Sequence, residues 1–543
     1  MTGSKNDNEK EILMPTPENP DPHGIFIDEV QKRNKTIRHI VSFTHSSTKA
    51  AAIMLAAAIV ALIVANTGAY EAFISFWHTE ILIEVGEYAG EMSLAHIISD
   101  IFMAIFFLLV GLEIKYEMSA GELTNIRQAI LPILAAAGGV LAPICIYLIF
   151  NWSHPEAVHG WGVPTATDIA FALGIMALLG DRVPNGVKVF LSTLAVADDI
   201  IAILVIAIFY GQSPDFMWLF FTAVVYVILI LMNRFHVYSL VPYTLVGIVL
   251  WFCVYSSGIH STIAGVLLAF VIPSGSRVNL EKFHDWSRNR VRLANEFYEG
   301  DSIPLVAQKN YLNMLGSLSR VSKQAVPPAV RLEQKLYPWV YFAILPLFAL
   351  TNADVSFGDL DIQMMLSSSV VQGVFFGLVL GKPIGIMLFS FLTIKFRIAS
   401  LPKNVNWKHM FGAAILGGVG FTMAIFVANL AYTDEMLITE AKLSILIASL
   451  VAGVVGFLLL FVQASIEKKK GVPAIDEDQN GYTADQPSPE DHGSKELNNS
   501  DVKQLNELLK EAEDEILVDQ LEKVQEDVTG MREILHEREQ ENR

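Results

Sequence analysis

Residues 187–209 read VKVFLSTLAVADDIIAILVIAIF, a run long enough to cross a hydrocarbon core of about 30 Å as one helix, with Asp198 and Asp199 adjacent near its centre. A charged side chain there costs about 2.5–3.5 kcal/mol even on a lenient insertion scale, so each aspartate needs a reason to be present. Two further apolar blocks raise the same question. Asp168 sits in VPTATDIAFALGI (163–175) and Lys382 in VLGKPIGIMLF (379–389). Left unpaired, the four groups amount to roughly 10 kcal/mol of unfavourable burial, so they must face one another or a water-filled cavity.

The rest of the chain has the same character. Of 543 residues, 52% are hydrophobic and only 17% charged, too apolar for an ordinary water-soluble protein. Apolar blocks lie near 49–67, 96–113, 128–150, 161–179, 187–209 and 216–232, then near 241–255, 258–273, 332–350, 368–393, 409–431 and 441–465. They predict an all-α polytopic membrane protein with about twelve transmembrane helices. The formal charge of −18 is mostly a property of one end. Residues 467–543 hold 22 acidic and 10 basic side chains, a solvated region whose acidity says nothing about what the membrane part handles. Cys145 and Cys253 fall in apolar blocks without pairing or metal-ligand spacing, so neither a disulfide framework nor a thiol centre is suggested. Residues 1–48 are polar and lack an apolar signal region, so the first span is expected to serve as the insertion signal.

Basic residues collect in alternate connections: Lys32 to Lys49 before the first span, Lys115 and Arg127 after the second, Arg182 and Lys188 after the fourth, Arg234 after the sixth, many from Arg277 to Arg331 after the eighth, Lys395 to Lys408 after the tenth, and Lys468–Lys470 after the twelfth. That pattern predicts both termini on the cytoplasmic side. The expected domains are a cytoplasmic segment 1–48, a membrane domain 49–466 with a long cytoplasmic insertion at 274–330, and an acidic tail 467–543. Residues 80–93 alternate apolar and polar around glycines like a short hairpin on the outer side. The insertion carries Trp286, Phe297, Tyr298 and basic residues, which suit either an amphipathic segment on anionic lipid or a solvated loop. In the tail, a polar linker (471–500) precedes apolar residues at three and four spacing from Val502 to Leu535, an amphipathic helix that serves an unknown partner or is a solvated appendage.

Adjacent residues on a helix point about 100° apart, so Asp198 and Asp199 cannot both face one partner, although both can border one aqueous funnel. A buried carboxylate holds either a proton or a small hard cation, since both neutralise the same charge. Binding one expels the other, and that is antiport; pairing of one aspartate with Lys382 merely to hold helices together is the bland alternative. Gly162, Pro164, Thr165 and Thr167 interrupt the fourth span, and Gly417, Gly418, Gly420 and Thr422 interrupt the eleventh. The breaks occupy corresponding places in spans three to five and ten to twelve, the signature of an inverted-repeat transporter with its ion site at the midplane. Asp168 would then compensate positive helix N-termini or coordinate the ion, and Lys382 would compensate negative C-termini or pair with an aspartate. His260 in YSSGIHSTIAG is either a gating group or a packed histidine. Glu113 in VGLEIKYE either lines an ion entrance or pairs with Lys115, and Asp100 lies near the middle of the second block.

At these residues the chain resembles the NhaA family of bacterial sodium/proton antiporters, over about Lys49 to Ile466. FFLLVGLEIKYE, TATDIAFALGI, the paired aspartates, SGIHSTIAGV, LPLFALTNA, GKPIGI and GGVGFTMAIFVANLAY occur in the family's order. The resemblance implies electrogenic exchange of two protons for one Na⁺ or Li⁺ in the bacterial inner membrane, for pH and salt homeostasis, with no cofactor. It implies Asp198 and Asp199 as cation and proton carriers, and Thr167 and Asp168 at the crossing of the broken helices. Lys382 would stabilise that crossing and exchange protons with Asp198. Glu113 and His260 match positions tied to pH response, and 80–93 matches a dimer-forming hairpin. The long insertion and acidic tail depart from the compact members, so the pH profile does not carry over.

A sodium-driven symporter of an organic anion would share this architecture, but no extra buried arginine is present to hold an anion. An intramembrane hydrolase would need HExxH, a serine elbow or GxGD, none of which occurs. A membrane anchor whose output lies in the tail would stop working when residues 471–543 are deleted. Nothing in the sequence points to an enzyme or to nucleic acid.

Overall fold

The computed structural model describes residues 46–85, 88–124, 126–211, 214–300, 302–356, 367–402 and 404–469. The predicted tail helix and nearly all of the segment 1–48 lie outside the described residues. Seven helices in them are long and apolar enough to cross a membrane: α1 (Ser47–Ala65), α3 (Leu94–Ser119), α4 (Ile126–Asn151), α7 (Asn185–Phe209), α8 (Phe216–Arg234), α14 (Ser369–Lys395) and α17 (Glu435–Lys469). Two bent pairs bring the number to nine. These are α5 (Pro155–Thr165) with α6 (Ile169–Leu178), bent by 43°, and α15 (Trp407–Leu416) with α16 (Phe421–Ala431), bent by 47°. The other three expected spans are helical but shorter or more polar: α9 (Leu240–Ser256), α10 (Thr262–Val271) and α13, residues 328–352.

Between α1 and α3 lie a short helix, α2 (Tyr70–Trp77), and an antiparallel hairpin of β1 (Glu80–Val85) and β2 (Tyr88–Ser93), with Glu80 opposite Ser93. The hairpin sits where the alternating pattern placed it. In the insertion, α11 (Leu280–Glu296) and α12 (Lys309–Ala325) pack against each other, with the Arg290 guanidinium donating to Met314 Sδ at 3.1 Å. The side-chain amide of Gln308 ties their connection together by donating to the carbonyls of Gly300 at 3.0 Å and Ile303 at 2.9 Å.

Without a hydrophobic drive between helices in lipid, close packing of small residues takes over. Helix α4 runs along α14 so closely that a Cβ built on Gly385 would lie 2.0 Å from the carbonyl oxygen of Gly138. The α3 and α10 pair is similar, with a Cβ at Gly265 meeting the Ala104 carbonyl at 2.2 Å. Within each repeat, α4 packs on α7 and α14 on α17, the correspondence an inverted repeat requires. The outer helix α8 turns Phe216, Met217, Phe220 and Ile228 outward, as a lipid-facing helix does.

In three spans one turn widens to π geometry: Ile97–Phe102 in α3, Val340–Ile344 in α13 and Gly377–Gly381 in α14. Each lies at a polar interior residue, respectively Asp100, Tyr341 and Lys382. Such turns re-aim side chains and concentrate at functional positions.

The glycine seam gives a stability prediction. Gly385→Ala overpacks against backbone and lowers the thermal unfolding midpoint in detergent, by at least the equivalent of about 1–3 kcal/mol. Gly316→Ala, in α12 with open space around its α-carbon, raises stability by about 0.5–1 kcal/mol.

Candidate functional site

The bends of α5–α6 and α15–α16 meet where both chains leave helical geometry. The hydroxyl of Thr167 donates to the Gly417 carbonyl at 2.9 Å, and the backbone N–H of Asp168 donates to the Val419 carbonyl at 2.8 Å. Each broken helix thus satisfies orphaned polar groups of the other, which lipid could not do. The approach explains the glycines. A Cβ on Gly418 would lie 2.5 Å from the Leu378 carbonyl, and one on Gly420 would lie 3.1 Å from the Ala166 carbonyl.

Asp168 is the N-cap of α6. Its Oδ1 accepts from the Phe171 N–H at 2.9 Å, while Oδ2 accepts from the Thr422 N–H at 3.1 Å and the Thr422 hydroxyl at 2.5 Å. One buried carboxylate thereby faces the positive ends of α6 and α16 together. Lys382 is on the opposite polarity. Its ammonium donates to Asp198 Oδ2 at 2.6 Å and to the Thr167 hydroxyl, which in turn donates to the Gly417 carbonyl at the C-terminal end of α15. Asp198 and Lys382 are 2% and 1% exposed, a wholly desolvated pair.

Asp199 differs. It is as buried as its neighbour, and the Oδ1 atoms of both aspartates lack a hydrogen-bond partner, but no lysine of the described residues stands against Asp199 as Lys382 does against Asp198. It faces a narrow cleft bordered also by Glu113, Asp168, Tyr341 and Thr422. Among the described residues no three His, Cys, Asp or Glu side chains gather closely enough to chelate a metal ion. One or two carboxylates with neutral oxygens suit a cation that must leave again.

Of the residues singled out by sequence, Thr167, Asp168, Asp198, Asp199, Lys382 and the Gly417, Gly418 and Gly420 turn converge on this crossing, and Glu113 reaches the same cleft. Lys115 does not pair with Glu113. Its ammonium donates to the carbonyls of Phe270 at 2.8 Å and of Ile272, capping the C-terminal end of α10. His260 lies elsewhere, with Nε2 donating to the Tyr210 carbonyl at 2.7 Å. Beside it the Ser261 hydroxyl donates to Asp100 at 3.3 Å. Thr422 was visible as part of an interruption but not as a partner of Asp168, and Tyr341 carried no sequence signal.

Removing one member of a buried pair strands the other. Lys382→Met leaves Asp198 uncompensated and destabilises the protein by about 3–5 kcal/mol, whereas Lys382→Met/Asp198→Leu recovers most of that loss. Thermal unfolding of the purified proteins in detergent checks both.

Comparison with known proteins adds an independent finding. A family model described as Na+/H+ antiporter 1 matches residues 41–460. The chain is 41% identical over 433 residues to the Na(+)/H(+) antiporter NhaA of Wolinella succinogenes, covering 79% of this chain and 94% of that protein. It is 44% identical over 407 residues to that of Helicobacter acinonychis, covering 75% and 91%. To that of Acidithiobacillus ferrooxidans it is 43% identical over 434 residues, covering 80% and 98%.

Proposed function

The chain belongs to the Na+/H+ antiporter 1 family, and from that premise we propose that Asp199, with Asp198 beside it, is where Na⁺ and H⁺ exclude one another. The protein is a multi-pass membrane transporter and not an enzyme; its substrates are Na⁺ and H⁺.

The observation that carries the reading is the Asp199 Oδ1 atom, buried at the cleft without a hydrogen-bond donor. A carboxylate so placed is costly while bare and acceptable when it holds a proton or a cation. Na⁺ arriving at Asp199 releases its proton, and a proton arriving from the other side releases Na⁺. For Asp198 to share the cation, Lys382 must withdraw from its 2.6 Å contact, and its ammonium proton is the second to leave. Two protons then cross for one Na⁺, or Li⁺, so one net charge moves per cycle. At 100 mV that supplies about 2.3 kcal/mol, enough to extrude the ion against roughly a fiftyfold gradient, which suits salt and pH homeostasis. Thr167 and Asp168 hold the crossing, with Asp168 set by two helix N-termini.

The alternation of Lys115, Arg182, Lys188, Arg234 and Lys395 between successive connections supports cytoplasmic termini and a cytoplasmic insertion. The β1–β2 hairpin is a two-stranded sheet of its own, and we infer that it is the contact of a homodimer. Glu113 and His260 are assigned to pH response, Glu113 through the cleft it shares with Asp199. The domain division at 48 and 467 follows the same charge and hydropathy boundaries.

The test is alkalinisation of acidified everted vesicles on adding NaCl, LiCl or KCl. The parent responds to Na⁺ and Li⁺, and Asp199→Asn falls to background, a loss of at least about 100-fold if the carboxylate is essential. A parent that gives no cation response while correctly inserted would favour a sodium-driven symporter. Deletion of residues 471–543 leaves the response in place, within about twofold; its loss would assign transport to the tail.

A further inference from the structure

One wall of the cleft beside Asp199 is formed by a residue that the exchange reading does not use. Tyr341 lies on the π turn Val340–Ile344 of α13 and is only 9% exposed. It borders the cleft with Glu113, Asp168 and Asp199. Its hydroxyl stands 3.5 Å from Glu113 Oε1, at the long limit of a hydrogen bond. The ring packs on Tyr337, one turn earlier, with centroids 4.4 Å apart.

Glu113 needs such a neighbour. The charged groups facing it are carboxylates: Glu117 on its own helix, Glu333 on α13 and Asp199 on α7. Lys115 is committed to the carbonyls at the end of α10. No cation of the described residues fixes where the Glu113 carboxylate points, and a phenol is the donor at hand. A hydroxyl orients a carboxylate without neutralising it, so the cleft keeps its attraction for a cation. A lysine in that place would compete with the cation as an ion-pair partner.

We propose that Tyr341 is a positioning residue for the exchange. Its hydroxyl holds the Glu113 carboxylate at the cleft, where it meets the cation on its way to or from Asp199. This rests on Asp199 as the cation carrier. Tyr341 lies within the π turn, where side-chain directions depart from ordinary helical spacing.

The experiment measures initial exchange rates of the full chain in everted vesicles against Na⁺ concentration at one pH. Tyr341→Phe removes one oxygen and keeps the ring on Tyr337, so membrane accumulation and unfolding midpoint should match the parent. Its KM for Na⁺ rises about threefold to tenfold, with a smaller change in maximal rate. Glu113→Gln raises KM by a similar or larger factor, and adding Tyr341→Phe to it produces no further rise. A Tyr341→Phe protein with the parent's KM overturns the proposal, as does a double variant whose effect is the product of the two single ones. If Asp199→Asn keeps the parent's Na⁺ affinity, the underlying reading fails instead, and the Glu113 and Tyr341 cycle still reads whether the two act together.

Discussion

The desolvated crossing of two broken helices imposes a rule on everything around it: each charge must be answered by another charge, a helix end or a mobile ion. Lys382 answers Asp198 at 2.6 Å, and Asp168 answers the N-terminal ends of α6 and α16. Bringing two ions out of water costs several kcal/mol each before their attraction is counted. Asp168 and Asp198 therefore each have a fixed partner, and although Asp198 and Asp199 both leave Oδ1 without one, only Asp199 has no counter-charge held against it. The transported ions complete the electrostatics that the polypeptide leaves open.

That rule also accounts for the helices being broken. A continuous helix consumes its own N–H and C=O groups and has nothing to offer an ion or a neighbouring carboxylate. Interrupting α5–α6 and α15–α16 frees such groups, and the close approach at Gly418 and Gly420 lets the breaks satisfy one another. The glycine seam between α4 and α14 holds this geometry with backbone contact that side-chain packing could not reach. The π turn at Gly377–Gly381, immediately before Lys382, sits at the one lysine that must reach across to Asp198.

Much of this was legible in the chain because it is local. Span length comes from apolar runs, the hairpin at 80–93 from alternation, and the breaks from Gly and Pro punctuation. The capping role of Asp168 was one of two readings, and the structure adds the second helix end, through Thr422, which lies 254 residues away. The choice for Lys382 between helix C-termini and an aspartate could not be made locally, because its distance to Asp198 is a tertiary fact; both contacts occur, one through Thr167. Glu113 looked equally able to pair with Lys115, since a pattern on one helix cannot see the carbonyls of α10 that claim the lysine. Tyr341 was one tyrosine among fifteen in an apolar run, and only the π turn and the fold bring it to the cleft. In the insertion, amphipathic spacing suited one surface segment, but α11 and α12 pair with each other while Val291, Leu312 and Leu315 stay exposed.

The central claim is that Na⁺ and H⁺ compete for the same buried carboxylates. It is tested most directly by adding NaCl to the purified protein in weakly buffered detergent solution and counting protons released per Na⁺ bound, with choline chloride as control. The account predicts between one and two protons per cation, none with choline, and loss of the release in Asp199→Asn. Binding of Na⁺ without proton release would contradict it.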